Sequence, residues 1–366
     1  MNKKKIVFFI GFYPQIVGGA EFQARLIADN LRNNYQIVFI SYGHNHNAVE
    51  YIDGFKVYKL SLKKFIFHRF TFYFFIYLKI RKIIKSEKPD LIYQRVLNSF
   101  SFYISKISRT QKKPFVIHIA DIKCLIFNKK SISSKVRKIF FKSINELQLN
   151  YICQTIEQQR LIENFRLVNT IVIPNIHNPI KFVNKKNITS NIVWIANVRE
   201  FKQLELFIKL SQSLIEYRKF VFNVIGNINN DKYGKKLLKL LNESRVVYHG
   251  KKTNEWINNF LHDSLVLVNT SLPNSEGLPN TFIQSWLAGT PVISLNTDPN
   301  GYITKHNLGY YCSGNFECLI KSIIYVAEMP LVQYDILSNR CRDFAEHEFD
   351  VNTNISKINE FFKSSL

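Results

Sequence analysis

The sequence predicts an α/β protein made of two doubly wound, Rossmann-like domains. The chain has 366 residues, which is more than a single hydrophobic core usually serves. Short apolar runs of strand length alternate with segments of helical periodicity, the pattern of parallel sheets covered by helices. A polar, irregular stretch near the middle interrupts this alternation before it starts again.

The first half of the chain predicts a parallel sheet with helices between its strands. Apolar residues at helical spacing occupy the segment between the first two runs, so residues 6–41 are predicted to form a strand–helix–strand unit. The six runs that we interpret as buried strands are 6–10, 36–41, 91–94, 115–119, 151–154 and 171–173.

The second half repeats the pattern after a polar run at 183–191, where we place the linker. We expect an N-terminal domain over 1–178 and a C-terminal domain over 190–344, with a C-terminal helix over about 345–366 returning to the first domain. The predicted strands of the second domain are 192–195, 221–225, 246–248, 265–269 and 292–295, and its predicted helices are 204–217, 233–242, 281–288 and 316–327.

The charge of the chain indicates anionic partners without choosing among them. Lys and Arg number 50 and Asp and Glu 27, which gives a formal net charge of +23. Such an excess favours nucleic acid, acidic membrane or phosphorylated substrates.

The cysteines and apolar segments favour a cytosolic protein that does not cross a membrane. The five cysteines are widely spaced and lack a C-x-x-C pair, which argues against a disulfide framework and a zinc site. The apolar start over 1–12 lacks a small-residue cleavage site of the signal-peptide kind. No segment reaches the roughly 18 uncharged apolar residues of a spanning helix.

The most informative stretch is N-S-E-G-L-P-N-T-F-I-Q-S-W-L-A-G-T-P-V-I over 274–293. A strand is predicted to end just before it, and Pro279 stands where the first turn of a helix tolerates proline. The helix is predicted to close on Gly289 before the next strand. The stretch therefore predicts a loop that leads into a helix N-terminus at a strand end.

This loop has the chemistry of a site for a sugar diphosphate. The backbone N–H groups of Gly277, Leu278 and Asn280 are predicted to point outward at the helix start, where they favour an anion. The Glu276 carboxylate accepts hydrogen bonds from sugar hydroxyls, and Gln284 is two turns further on, within reach of a ribose.

The stretch resembles the donor motif of the retaining GT-B glycosyltransferases of family four (glycosyl transferases group 1). That motif has an acidic residue, seven others, a second acidic residue and then A-x-G-x-P-V-I. Glu276 matches the first acidic position, whereas Gln284 occupies the second and removes a charge from the ribose contact. The resemblance implies two domains that face each other across a cleft.

A second block, V-W-I-A-N-V-R-E-F-K-Q over 193–203, resembles the family's strand and turn with an arginine and a lysine for the donor diphosphate. Lys202 matches the lysine, and Arg199 is two residues beyond the usual arginine position. The resemblance implies catalysis without a metal, and no D-x-D or His/Asp cluster is found in the sequence, so we expect no metal and no cofactor. The alternative is a solvated surface pair.

The first predicted strand is followed by G-F-Y-P-Q-I-V-G-G-A-E, which is similar to the family's Gly-Gly-x-Glu loop. The resemblance implies that Gly18, Gly19 and Glu21 shape the acceptor site. Gly-Gly also lets a backbone approach a ligand closely at a helix start. A G-x-G-x-x-G fingerprint is absent.

The segment H-I-A-D at 118–121 follows the strand over 115–119, where the family places a histidine beside the reacting sugar. The resemblance implies that His118 contacts the sugar and that Asp121 positions the acceptor, neither acting as a nucleophile. The alternative for His118 is a buried histidine with its hydrogen bonds satisfied.

Residues 62–85 combine many phenylalanines with eight basic residues. A helix in a lipid headgroup layer has this composition, and the apolar residues encircle the helix more fully than one core stripe requires. We predict contact with an anionic membrane surface, against the alternative of a buried helix with basic ends.

These features together predict a glycosyltransferase. We expect transfer of a hexose from a nucleotide-sugar, by family frequency a UDP-sugar, to a lipid-linked or polysaccharide acceptor in the synthesis of a bacterial surface glycan such as lipopolysaccharide or capsule. Family resemblance implies retention of configuration. The expected location is cytoplasmic, peripheral on the inner face of the membrane.

Two other functions are weighed against this one. A GT-B-fold sugar-nucleotide epimerase would need several carboxylates for acid/base work, and few are found near these blocks. A nucleic-acid-binding protein would explain the charge but not the stretch at 274–293, so we expect no nucleic-acid partner.

Overall fold

The computed structural model describes residues 3–61, 69–126, 149–164, 168–182 and 186–366, with the backbone alone at 69–74. Its contacts divide the chain into two compact units. The first unit consists of Met1–Ile176 and Val351–Leu366, and the second of His177–Asp350. Each unit contains one sheet with helices against it.

The first unit has an eight-stranded sheet of order β3-β4-β2-β1-β5-β6-β7-β8. Neighbouring strands are parallel, except that β3 is antiparallel to β4. The strands are β1 (Lys5–Phe9), β2 (Gln36–His44), β3 (Ala48–Ile52), β4 (Phe55–Ser61), β5 (Leu91–Arg95), β6 (Phe115–His118), β7 (Asn150–Cys153) and β8 (Asn169–Val172). The described helices are α1 (Gly19–Leu31), α2 (Arg69–Glu87), α3 (Ser99–Gln111), α4 (Ile156–Glu163) and, after the second unit, α12 (Val351–Ser365).

The hairpin of β3 and β4 is the part of this sheet that the apolar runs do not predict. β3 is an edge strand whose residues alternate between half-buried and exposed, so it has no continuous apolar run. Asp53 and Gly54 connect the two strands with φ values of 51° and 84°. An Asp-Gly pair with two positive φ angles is the favoured two-residue hairpin turn.

The C-terminal helix is built as two helices rather than the single one expected over about 345–366. One helix of the second unit ends at Glu348, and α12 begins at Val351 in the first unit. α12 packs against the first sheet, where the Phe362 ring is 5.4 Å from the Tyr93 ring. Tyr35 Oη also donates to Asn359 Oδ1 at 2.8 Å.

The second unit has a six-stranded, fully parallel sheet of order β11-β10-β9-β12-β13-β14. Its strands are β9 (Asn191–Ile195), β10 (Val221–Ile225), β11 (Val247–Tyr248), β12 (Val266–Asn269), β13 (Val292–Ser294) and β14 (Gly309–Tyr311). Its described helices are α5 (Leu204–Ser213), α6 (Lys232–Asn242), α7 (Asn254–His262), α8 (Asn280–Leu287), α9 (Tyr302–His306), α10 (Phe316–Glu328) and α11 (Leu331–Glu348).

The chain leaves the first unit between Ile176 and His177, before the polar run over 183–191 that predicts the linker. Residues 183–185 of that run lie outside the described residues. Lys186 belongs to the second unit, where its Nζ donates to Gly289 O and Thr290 Oγ1, both at 2.9 Å. Thr189 Oγ1 likewise donates to Asp263 O at 2.7 Å, so both polar side chains are bonded within the second unit.

Both sheets reverse their strand order at the first strand of the unit. β1 pairs with β2 on one side and β5 on the other, and β9 pairs with β10 and β12. Ligands of open parallel sheets bind outside the carboxyl ends of the strands at such a switch point. The second unit therefore has its candidate site at the ends of β9 and β12.

Candidate active site

The turn after β9 and the loop after β12 meet at the switch point of the second unit. The turn contains Lys202 and the loop contains Glu276, and the Lys202 Nζ donates to Glu276 Oε1 in an ion pair. The two side chains are 18% and 12% exposed. The two most diagnostic residues of the sequence patterns are thus brought into direct contact.

The turn that carries Lys202 is fastened to the end of β12 by backbone and side-chain hydrogen bonds. Leu272 N donates to Phe201 O at 2.8 Å, and Thr270 Oγ1 donates to Lys202 O at 2.9 Å. The same hydroxyl accepts the indole N–H of Trp194, on β9, at 3.0 Å. The position of the Lys202 backbone is therefore fixed by the sheet core.

Arg199, the other expected diphosphate cation, lies at the start of the same turn. Its backbone is extended, and it precedes one turn of 3₁₀-helix over Glu200–Lys202. The side chain is exposed and makes no ion pair with any residue in the described ranges. It is available to an anionic ligand at this edge of the sheet.

The Glu276 carboxylate uses its two oxygens differently. Oε1 accepts from Lys202 Nζ and from Ser271 Oγ, the latter at 2.6 Å. Among the described residues, none donates a hydrogen bond to Oε2. One oxygen is thus held by the protein and the other is open to an external hydroxyl.

The loop leads into α8 as the sequence predicts. Pro279 is the N-cap residue with an extended backbone, and the helix begins at Asn280. Gly277, Leu278 and Pro279 are buried, whereas Asn280 and Thr281 are half-buried at the helix start. The positive end of the α8 dipole therefore lies beside Glu276 and Lys202.

Gln284 lies inside the second unit rather than in the open site. It is 5% exposed, and its Nε2 donates to Asn258 Oδ1 of α7 at 3.1 Å. One hydrogen of the Gln284 amide thus joins α8 to α7, and Oε1 and the second hydrogen are left for a ribose contact.

The far end of α8 is held by a lysine that the sequence patterns do not single out. Lys186 Nζ donates to the carbonyls of Ala288 and Gly289 and lies next to the negative end of the helix dipole. Burial lowers the pKa of Lys186 to about 7. Gly289 itself has a φ of 67°, the left-handed conformation that ends the helix.

In the first unit, His118 is buried at the end of β6 in a polar cluster. It is 1% exposed. Arg95 Nη1 is 3.0 Å from Nδ1 of the ring, and Tyr93 Oη is 2.9 Å from the same nitrogen. Burial and the nearby Arg95 charge lower the pKa of His118 well below its ordinary value.

This cluster favours the buried histidine over the sugar contact expected from the resemblance. Arg95 is completely buried, and its Nη2 donates to Asn175 Oδ1 at 2.5 Å. A neutral ring that accepts from Arg95 explains the lowered pKa and leaves the hydrogen bonds of His118 satisfied inside the protein. The sequence does not single out Arg95, because a charged residue at a strand end is usually exposed.

Asp121 and the Gly-Gly loop have local structural contacts. Asp121 Oδ1 accepts from Cys124 N at 2.9 Å and so closes a turn. Gly18 is the N-cap of α1, and a side chain there would collide with Glu21 Oε2, only 2.1 Å from the Cβ position. The side chain of Glu21 therefore folds over Gly18, and Gly19 begins the helix.

Among the described residues, no helix is long and apolar enough to span a bilayer. The same part of the chain contains no group of three or more His, Cys, Asp or Glu side chains arranged to bind a metal.

The class of protein follows from comparison of this chain with known families. Residues 189–328 match the family described as "Glycosyl transferases group 1", and residues 19–150 match "Glycosyl transferase 4-like". Each match falls within one of the two units. The chain is therefore a glycosyltransferase with a glycosyl transferase 4-like domain in its first unit and a group 1 domain in its second.

Solved structures show the particular architecture to be GT-B. The chain is similar to HepE from Anabaena, solved with UDP and glucose, at a TM-score of 0.74 and 17% identity over 99% of this chain and 100% of that one. It is also similar to the lipopolysaccharide outer core galactosyltransferase WaaB at a TM-score of 0.68 and 15% identity, over 99% and 100% of the two chains. The pneumococcal O-GlcNAc transferase GtfA, solved with UDP and GlcNAc, is similar at a TM-score of 0.74 and 11% identity, over 100% of this chain and 99% of that one. No curated protein sequence matches the chain.

Proposed function

We propose that this glycosyltransferase moves a hexose from a UDP-sugar to a lipid-linked or polysaccharide acceptor of a bacterial surface glycan, with retention of configuration. The observation that carries the proposal is the contact between Lys202 and Glu276 at the switch point of the second sheet. A cation for the diphosphate and a carboxylate for the sugar are adjacent there, as a nucleotide-sugar requires.

The donor's charge would be balanced by the protein itself. Lys202 and the exposed Arg199 supply two positive charges on one turn, and the start of α8 adds a dipole. Such fixed charges stabilise the diphosphate as it leaves, the step in which negative charge develops. We therefore propose transfer that needs no metal, and chelation with EDTA should leave the rate unchanged.

The sugar would be held by the open oxygen of Glu276. Oε2 accepts a sugar hydroxyl while Oε1 stays on the protein. Front-side transfer, with the leaving diphosphate taking the acceptor proton, fits this arrangement.

The choice of UDP rests on the similar structures. HepE has been solved with UDP-glucose, and GtfA with UDP and GlcNAc. Because the sequence identities are 16% and 11%, these structures show the same fold, and the base and the sugar of the donor are to be determined by experiment.

The proposal of an acceptor at a membrane rests on α2. Its described part buries one stripe, Ile76, Ile80 and Ile84, rather than apolar residues on every side. Phe75 and Leu78 remain 50% and 39% exposed, and the exposed Lys79 and Lys82 follow them one helical turn later. A helix with exposed apolar and basic residues binds the headgroup layer of an anionic membrane. Residues 62–68, including Lys63 and Lys64, lie outside the described residues.

The direct test is binding and turnover with a panel of UDP-, GDP- and ADP-sugars. A true donor raises the melting temperature by mass action, by an amount that grows with its concentration. We expect a UDP-sugar to do so and the wild type to hydrolyse or transfer it. Glu276→Gln should reduce turnover by at least tenfold, about 1.4 kcal/mol, because an amide cannot replace the charged acceptor in the transition state. A variant with more than a tenth of wild-type turnover would remove Glu276 from the proposed mechanism.

A further inference from the structure

We propose that Ser271 is a positioning residue that keeps the Glu276 carboxylate aimed at the sugar after Lys202 has moved to the donor diphosphate. This inference rests on the proposed function and extends it to a residue that no sequence pattern or resemblance singled out. The observation behind it is that Ser271 and Lys202 donate to the same oxygen of Glu276.

Hydrogen-bond direction around Ser271 is fixed by its neighbours. Its Oγ accepts from Asn269 Nδ2 at 3.2 Å, so its own hydrogen is directed to Glu276 Oε1 at 2.6 Å. A hydroxyl has a single hydrogen to give. Ser271 therefore donates its only hydroxyl hydrogen to the Glu276 carboxylate.

Ser271 is also anchored more firmly than Lys202. It is 1% exposed, its backbone N–H donates to Asn269 Oδ1 at 3.2 Å, and its carbonyl accepts from Asn296 Nδ2 at 3.0 Å. These contacts join the ends of β12 and β13. The Lys202 ammonium, by contrast, is at the tip of a flexible four-carbon chain.

The two donors must respond differently to a diphosphate. An ammonium has three hydrogens and a full charge, so a nearby diphosphate competes with Glu276 for it. The Ser271 hydroxyl is neutral and stays where its backbone places it. When the donor binds, Oε1 keeps one fixed partner, and Oε2 keeps its direction toward the sugar.

The test separates binding of the diphosphate from handling of the sugar. Calorimetry with free UDP should give Ser271→Ala an affinity within about twofold of the wild type, because Lys202 and the helix start are intact. Turnover of the active UDP-sugar should fall about tenfold, which corresponds to 1.4 kcal/mol. KM should change much less than kcat, since the carboxylate is misaligned mainly in the transition state.

Ser275→Ala is the matched control. Ser275 directly precedes Glu276 in the same loop and is nearly as buried, but its Oγ donates to Leu272 O at 2.6 Å rather than to the Glu276 carboxylate. Its removal should leave kcat within about twofold of the wild type. Melting temperatures of both variants check that each is folded.

A double-mutant cycle with Glu276→Gln tests whether Ser271 acts through the carboxylate. We expect Ser271→Ala to lower kcat about tenfold in the wild-type background and to leave the residual kcat of Glu276→Gln within about twofold. Wild-type kcat in Ser271→Ala, or equal fold losses of kcat in both backgrounds, would overturn the positioning role alone. A wild type that turns over no UDP-, GDP- or ADP-sugar would instead overturn the proposed function, and this inference with it.

Discussion

Two glycines at the ligand edge of the second sheet provide a matched test of how closely its backbones pack. Gly226 N donates to Gly250 O at 2.9 Å, and both residues follow strands that end at this edge. A Cβ on Gly226 would be 1.8 Å from Ala196 O, whereas a Cβ on Gly250 would meet nothing within 4 Å. The φ angles are 145° and 67°.

The expected costs of alanine follow from this geometry. Gly250→Ala should lower the free energy of unfolding by about 1 to 2 kcal/mol, because its only cost is a left-handed backbone at a non-glycine residue. Gly226→Ala combines a backbone region that is essentially restricted to glycine with a collision against a carbonyl, and we expect at least about 3 kcal/mol. At roughly 2–4 °C per kcal/mol for a unit of this size, the melting temperature should fall by several degrees in Gly250→Ala and by about 10 °C in Gly226→Ala.

The same collision should also displace the backbone that leads to the proposed donor site. Ala196 begins the chain that leads from β9 to the turn of Arg199 and Lys202, and Val198 N is bonded to Asn227 O at 2.9 Å. Displacing this backbone should weaken UDP binding in Gly226→Ala but not in Gly250→Ala. Scanning calorimetry and UDP titration of both variants give the answer. Equal melting temperatures, or equal UDP affinities in the two variants, would refute this account of the strand ends.

The remaining predictions concern pH, the membrane and the metal. Because the folded pKa of His118 is lowered, His118 takes up a proton on unfolding at acidic pH. Its contribution to stability is therefore complete above about pH 6.5 and falls on acidification by up to about 1.4 kcal/mol per pH unit. His118→Gln should make the fall in melting temperature below pH 6.5 less steep, and an unchanged profile would contradict the cluster. Replacing four basic residues of α2 by Gln should cost a few kcal/mol of binding to acidic liposomes in flotation, while the same change on α6 has little effect; equal losses would contradict a specific face. The α2 set is Lys79, Arg81, Lys82 and Lys85, and the α6 set is Lys232, Lys235, Lys236 and Lys239. Transfer should continue at its full rate in excess EDTA, and inhibition that Mg²⁺ or Mn²⁺ reverses would contradict the metal-free proposal.

Strand positions were the part of the fold that the sequence predicted best. The buried parallel strands have continuous apolar runs, and β10 spans Val221–Ile225 as predicted. The edge hairpin of β3 and β4 lacks such a run because one of its strands is half exposed. The break at Phe349 and Asp350 was missed because no glycine or proline marks it.

The sequence predicts the charged residues of the candidate site, which stand in recognisable motifs. It does not predict the residues whose role depends on their buried hydrogen bonds. Lys202 and Glu276 stand in recognisable patterns, and parallel topology brings their strand ends together. Ser271 has no distinguishing pattern, since its importance comes from a hydrogen bond to a residue five positions further along the same loop. His118 was recognised by position, but its role depends on Arg95, whose burial only the packed sheet reveals.

We propose that Lys202 is a cation for a nucleotide-sugar diphosphate at the switch point of the second sheet. Calorimetric titration of UDP and UMP into the wild type and into Lys202→Gln tests this most directly. We expect the wild type to bind UDP more tightly than UMP, and the variant to lose most of this difference while keeping its affinity for UMP. A variant that prefers UDP over UMP as strongly as the wild type does would contradict the claim.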